Sequence, residues 1–289
     1  MKVRTLASGT TEMQLVCEDW RPEYEEHFRS GGCDGLFVTC PRPGASTDLS
    51  FAPLVPGLRS LRLGLGVRDL GPVADCHGLT VLQIGGGASP GRIDLSGLPA
   101  LRVLEAPVEA VLAGVAGLPA LDSLTLTGWR RGSLERLGAH PRLGFLRIEC
   151  TRGGGLTLTG AAGMPELRAL WLHDGDLSDT AALAACERVE EIRLVGAKTP
   201  TVSFAARLPH LRRLTLENCG PLDSLRPLSA HPSLREIALA GTTTVEDGDL
   251  RPLADNPRLT HIALENGAPH YSHPVSEVRR SPTRIPEES

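Results

Sequence analysis

Apolar residues in this chain recur in short alternating bursts rather than in helical stripes. The pattern L-x-x-L-x-L, with Ile, Val or Ala as occasional substitutes, begins at Leu58, Leu79, Leu101, Leu121, Leu143, Leu167, Val189, Leu211, Leu234 and Leu259. Eight of these ten copies carry Pro two residues before the first apolar position, the exceptions holding His77 and Glu187. Within each burst the alternation predicts a short strand with every second side chain turned inward. The rest of each period returns the chain to the same edge one layer further on. Ahead of the fifth, ninth and tenth copies the return carries its own apolar pair, Leu134/Leu137, Leu225/Leu228 and Leu250/Leu253. A three-residue spacing suits a 3₁₀ turn or an extended segment. Proline then fixes φ just before the strand and removes a donor from the neighbouring ladder.

Stacked coils of this kind give a parallel sheet on one side and leucine layers behind it. The pattern resembles the leucine-rich-repeat superfamily, in its short bacterial-type class with periods near 22 residues. The resemblance covers residues 33–267 and implies an α/β repeat solenoid. In that architecture a horseshoe or arc carries a concave parallel β-sheet, a mostly non-helical 3₁₀ or extended convex side and an N-terminal α/β cap. One departure matters. The family usually places Asn, or less often Cys, eight residues after the first Leu, where its side chain bonds the backbone of the adjacent turn. Those positions here are Gly66, Gly87, Glu109, Trp129, Thr151, Gly175, Ala197, Cys219, Thr242 and Gly267, and only Cys219 fits. The bend after each strand must be satisfied otherwise, by glycine conformations and water, with an irregular edge expected there.

The ends differ from the middle. Residues 1–57 read as a cap that includes a zeroth repeat, residues 58–267 as the ten repeats, and residues 268–289 as a flexible tail. In the cap, Met13 to Cys17 predicts a strand and Asp19 to Phe28 a short helix with Trp20, Tyr24 and Phe28 on one face and Gly31 past its end. Asp34 to Cys40 predicts the zeroth strand, and Asp48 to Phe51 its convex return. The tail holds Pro269, Pro274, Pro282 and Pro286 with few apolar groups, so no cap over the last coil is expected.

Composition narrows the function classes. The net charge of −4 offers no general attraction to nucleic acid or anionic membrane. Lysine occurs only as Lys2 and Lys198, which we read as the coding bias of a GC-rich bacterial genome. The seven cysteines are scattered, odd in number and without a C-x-x-C pair, arguing against a disulfide framework and a zinc site. With no apolar leader-like segment or membrane-length run, a reducing cytoplasm is the expected compartment.

Catalytic signals are sparse. The Gly85–Gly87 and Gly153–Gly155 runs lack the lysine and helix of a phosphate cradle. His270 and His273 have a ligand-like spacing without a third ligand. His140 and His231 stand at the position that Cys186 and Asn256 fill in other copies, which favours a turn role. Cys150 follows a strand, with His173 and Asp174 one coil on, so a cysteine nucleophile is conceivable; a small residue at a coil bend is the simpler reading. No cofactor is implied.

The outward face carries the stronger signal. Reading the fifth position of each copy places Trp171 between Arg147 and Arg193 on strands about 4.8 Å apart. Phe145, Glu149 and His173 surround it, and Arg213 lies further along. An exposed Trp flanked by arginines has the composition of an interface hot spot; alternatively, the arginines simply cover the ring. Arg and acidic residues are nearly balanced along this face, which suits a protein better than a phosphate backbone. The residues favour a non-catalytic binding module of the inhibitor, immunity or adaptor type, with a protein or peptide partner and neither nucleic acid nor membrane. A second reading is capture of an extended peptide as accessory to a modifying enzyme. A third is an enzyme using Cys150 and His173.

Overall fold

The computed structural model describes residues 2–7, 9–42, 47–85 and 91–280. Gly86 and Gly87 and the part of the expected tail from residue 281 onward lie outside the described residues. Contacts divide the chain into two units, residues 1–128 and 129–289.

The first unit opens with a hairpin that the repeat pattern did not announce. Strand β1 (Lys2–Thr5) pairs antiparallel with β2 (Thr11–Val16). From β2 onward every pairing is parallel and in chain order, through β3 (Gly35–Thr39), β4 (Ser60–Leu63), β5 (Val81–Ile84), β6 (Val103–Pro107) and β7 (Ser123–Ser133). Between β2 and β3 the expected helix is a 3₁₀ turn over Pro22–Tyr24 continuing into α1 (Glu25–Arg29). Asp19 does not cap it; Pro22 sits in the first turn instead. The aromatic stripe forms as read. Tyr24 and Phe28 are buried, and Trp20 stacks on Phe51 at 4.8 Å between ring centroids with 7° between planes. The zeroth return thus meets the cap helix through aromatic rings.

Cys17 and Cys40 form a disulfide, a bond that the scattered cysteines gave no reason to expect. The count and spacing of cysteines hid the pair because it depends on register. Val16 pairs with Thr39, so the residues that follow each strand face one another. A disulfide of this kind is uncommon in a reducing compartment.

The second unit repeats the parallel order in β8 (Phe145–Thr157), β9 (Ala169–His173), β11 (Glu191–Val195), β12 (Arg213–Glu217), β14 (Glu236–Ala240) and β16 (His261–Leu264). Short second strands run on the return side. Strand β10 (Asp176–Ser178) pairs with the far end of β8, and β13 (Pro221–Leu222) with β15 (Thr244–Val245). Of the three leucine pairs, the first two lie on 3₁₀ turns and the third on the short helix α3 (Arg251–Ala254). The first turn after β6 is likewise a short α-helix, α2 (Val108–Val111). Inward leucines are almost fully buried in both units, as at Leu61, Leu82, Leu104, Leu146, Leu172 and Leu214. Removing one to Ala in such a layer costs about 2–5 kcal/mol.

The bend that lacks asparagine is handled by backbone conformation. Asp174, Gly196, Asn218 and Gly241, each seven residues past the first apolar position of its copy, all take positive φ. Asn218 stitches to the next coil by accepting the Thr242 N–H at 3.2 Å. At Gly241 a Cβ would lie 2.0 Å from Asn218 Oδ1, so side chain and glycine fit only together. Cys219, the one residue matching the family pattern, donates from Sγ to Leu194 O at 3.4 Å. The four equivalent turn residues all bond backbone groups, His231 and Cys186 on the preceding coil and His140 and Asn256 within their own turn. His231 reaches Ala205 O (3.1 Å), Cys186 reaches Ala161 O (3.2 Å), His140 bonds Leu137 O (2.9 Å), and Asn256 accepts the Arg258 N–H (2.9 Å).

The largest departure from expectation is the C-terminus. Residues 268–280 are not a free tail; they fold over the final coil. Tyr271 Oη accepts the Val245 N–H (3.1 Å) and Ser272 Oγ the Leu250 N–H (2.9 Å). Helix α4 (Val275–Val278) then buries Val278. Arg279 donates to Leu264 O at 2.7 Å and Glu265 O at 3.0 Å, while Arg280 donates to Ala254 O (2.5 Å), Asn256 O (2.6 Å) and Leu259 O (2.8 Å). Among the described residues no later coil bonds these carbonyls, and leaving the part-buried ones unmet is costly. The proline-rich composition misled because closure here uses guanidinium groups rather than apolar ones.

Two outcomes follow. Arg280→Ala should lower stability in urea unfolding by about 1–3 kcal/mol, since three carbonyls, two of them in part-buried bonds, lose their donor; an unchanged midpoint would show that water replaces it. Cys17→Ser should cost about 3 kcal/mol for a 23-residue separation. Reductant should produce the same loss in the native protein and none in the variant.

Candidate functional site

The register places one row of side chains side by side on the sheet face opposite the leucine layers. Arg147 pairs with Trp171, Trp171 with Arg193, Arg193 with Thr215 and Thr215 with Ala238. Alternation forces this: Leu146, Leu170 and Ile192 point into the core, so their neighbours cannot.

Trp171 is half-buried. Its ring meets Phe145 edge-on at 5.2 Å and 74°. The guanidinium carbons of Arg147 and Arg193 lie 5.9 and 5.4 Å from its centroid. Its indole N–H donates to Glu191 at 3.0 Å. The ring is therefore held by an aromatic edge, two cations and one acceptor, leaving part of its surface open.

The charged residues around it form a connected set. Arg147 pairs with Glu149 at 2.7 Å. Arg213 bridges Glu191 at 2.7 Å and Glu236 at 2.8 Å. Its hydrogen bond to Glu236 is the main reason Arg213 holds its proton even more firmly than usual and Glu236 loses its own more readily. Arg213 does not touch Trp171; it acts on the ring through Glu191. His173 ends β9 beside Glu149 and Val195 in register. All seven residues singled out from the sequence thus lie on β8, β9, β11 and β12 of one unit. Glu191, which links Trp171 to Arg213, does not stand out in the sequence, because its role depends on side-chain reach.

A second patch was missed. In the first unit Glu12 is 1% exposed, and its carboxylate binds Arg62 at 2.8 Å and Arg4 at 3.1 Å. The Arg62 guanidinium lies over the Phe37 ring at 4.3 Å. A hollow of about 550 Å³ beside them is lined by Phe37, Thr39, Arg62, Leu65 and the bare backbone of Gly64 and Gly85. Phe37 belongs to the zeroth strand, outside the ten-copy register, so reading down the copies passed it by. Continuing the fifth-position row one strand back would have found it.

Cys150 lacks the features of a nucleophile. It is buried, and burial, reinforced by the negative charge of Asp174, pushes its thiol up to about 11. Activated thiols are shifted the other way. Because the thiolate forms only as pH climbs towards that value, iodoacetamide at pH 8 should label Cys150 far more slowly than free cysteine. Rapid labelling there would restore the catalytic reading.

No family model matches this chain. It is 36% identical over 114 residues, 38% of its length, to the human leucine-rich repeat-containing protein 56, and spans only 20% of that relative. Among solved structures it resembles an internalin (inlF) from Listeria monocytogenes, with a TM-score of 0.64 at 14% identity, covering 96% of this chain and 87% of that one. The plant peptide hormone receptor RGFR1, solved with RGF2, aligns at 13% identity over 91% of this chain and 52% of that chain, with a TM-score of 0.48.

Proposed function

We propose that this chain, which has the leucine-rich-repeat fold, is a non-catalytic protein-binding module of the inhibitor, immunity or adaptor type. Its contact centre is the outward sheet face around Trp171. The observation that carries the reading is the half-buried indole held between Arg147 and Arg193 on adjacent strands. A rigid sheet presents these groups without the ordering cost a loop would incur. Tryptophan and arginine are the residues that most often dominate interface energy, and Phe145 and the ion pairs around them supply a rim. Charges of both signs suit selection of one protein over another more than attraction to a polyanion. The raised Cys150 thiol supports a non-catalytic role.

The test is an affinity capture from native lysate with wild type and Trp171→Ala side by side, read by mass spectrometry. A partner retained by wild type and lost, or weakened about tenfold or more, with the variant is expected for a hot-spot residue. Equal capture by both folded baits would place the contact elsewhere.

A further inference from the structure

Most charges on this face are already engaged by one another. Arg147 is taken by Glu149, and Arg213 by Glu191 and Glu236. Along the neighbouring row Arg168 and Arg212 share Glu190, at 2.9 and 3.7 Å. Glu265 accepts the Gly241 N–H at 2.7 Å. Two charged side chains on β11 and β12 differ. Arg193 and Glu217 make neither a side-chain hydrogen bond nor an ion pair with any described residue.

They also do not cancel each other. Arg193 is in register with Thr215, and Glu217 lies two residues further along β12, opposite Val195. Such diagonal neighbours are about 7–8 Å apart, and the two side chains form no ion pair with each other; Arg193 turns to the Trp171 ring instead. Arg193 is held by the Trp171 ring, and its Nε is buried without an acceptor. A guanidinium kept partly from water and unpaired by its own chain is costly in isolation, and a bound carboxylate would relieve that cost.

We infer that Arg193 and Glu217 recognise an acidic and a basic residue spaced two apart on an extended segment of the protein partner, with the acidic one seated beside Trp171. The inference rests on the binding reading above and names the chemistry of its partner. Side chains on one face of an extended chain recur about every 6.6 Å, close to the diagonal separation of the two groups. Arg193 would bind the carboxylate through parallel N–H donors, strengthened where the indole excludes water. Glu217 would fix which way the segment runs and would repel a uniformly anionic ligand such as a nucleic-acid backbone.

A phage-displayed library of random 12-residue peptides, selected on the full chain, tests this. Peptides recovered on wild type should be enriched for Asp or Glu with Lys or Arg two positions away. The best one, synthesised and titrated, should lose about tenfold or more in affinity with Arg193→Gln, a desolvated charge contact being broken. Glu217→Gln should remove only the preference for the basic residue. Circular dichroism should match wild type for both variants and thermal unfolding should differ by only a few degrees at most, since neither side chain makes a hydrogen bond or ion pair with the described residues and the Arg193 contact with the Trp171 ring is worth about 1 kcal/mol or less. Peptides that depend on Trp171 but show no acidic preference, or no recovered peptide, would overturn this inference and leave a folded-partner interface standing. Peptides whose binding ignores Trp171→Ala as well would overturn the site itself.

Discussion

The stacking of leucine layers is the constraint on which everything else here depends. One coil has a strand too short and a return too open to cover its own leucines. Burial becomes complete only when the next coil is laid against it. Residues such as Leu82, Leu104, Leu170 and Ile192 are sealed by neighbours more than 20 positions away. The same stacking sets the parallel register, because a shift of one residue would turn each layer to solvent. That register then decides which outward side chains become neighbours. The outward row around Trp171 is thus a by-product of the core.

Each unit carries one closing segment, and the two use different chemistry. At the start, an antiparallel hairpin, an aromatic cluster around Trp20 and the Cys17–Cys40 bond cover the first layers. At the finish, a single buried apolar residue, Val278, is joined by two arginines that donate to the carbonyls of the last coil. Guanidinium groups suit that task, since one side chain can meet several acceptors in a fixed fork. Their charge remains partly hydrated while the edge is closed against strand addition.

The outward face is largely self-consistent in its pairing. Glu191 satisfies the Trp171 N–H and is itself neutralised by Arg213, which also holds Glu236. Such a network fixes rotamers, so the indole and Arg193 are presented in a defined geometry before any partner arrives. Where pairing is complete, a partner would have to displace bonds already made. Where it is incomplete, at Arg193 and Glu217, a partner would add bonds that the chain alone lacks.

What the sequence determined was everything carried by local alternation. The ten copies, the strand phase, the inward leucines and the row Arg147–Trp171–Arg193 follow from a period of two repeated at a fixed interval, and the 3₁₀ character of two return segments from the three-residue spacing of their leucine pairs. Tertiary structure decided what depends on reach between residues far apart in the chain. The Cys17–Cys40 pair requires β2 and β3 to end level. The closure by Arg279 and Arg280 requires the chain to turn back on coils whose carbonyls lack partners. The link from Trp171 through Glu191 to Arg213 requires long side chains to cross between strands. Alternation records which way a side chain points; it holds no information about which distant group that side chain can touch, and that is settled only when the layers pack.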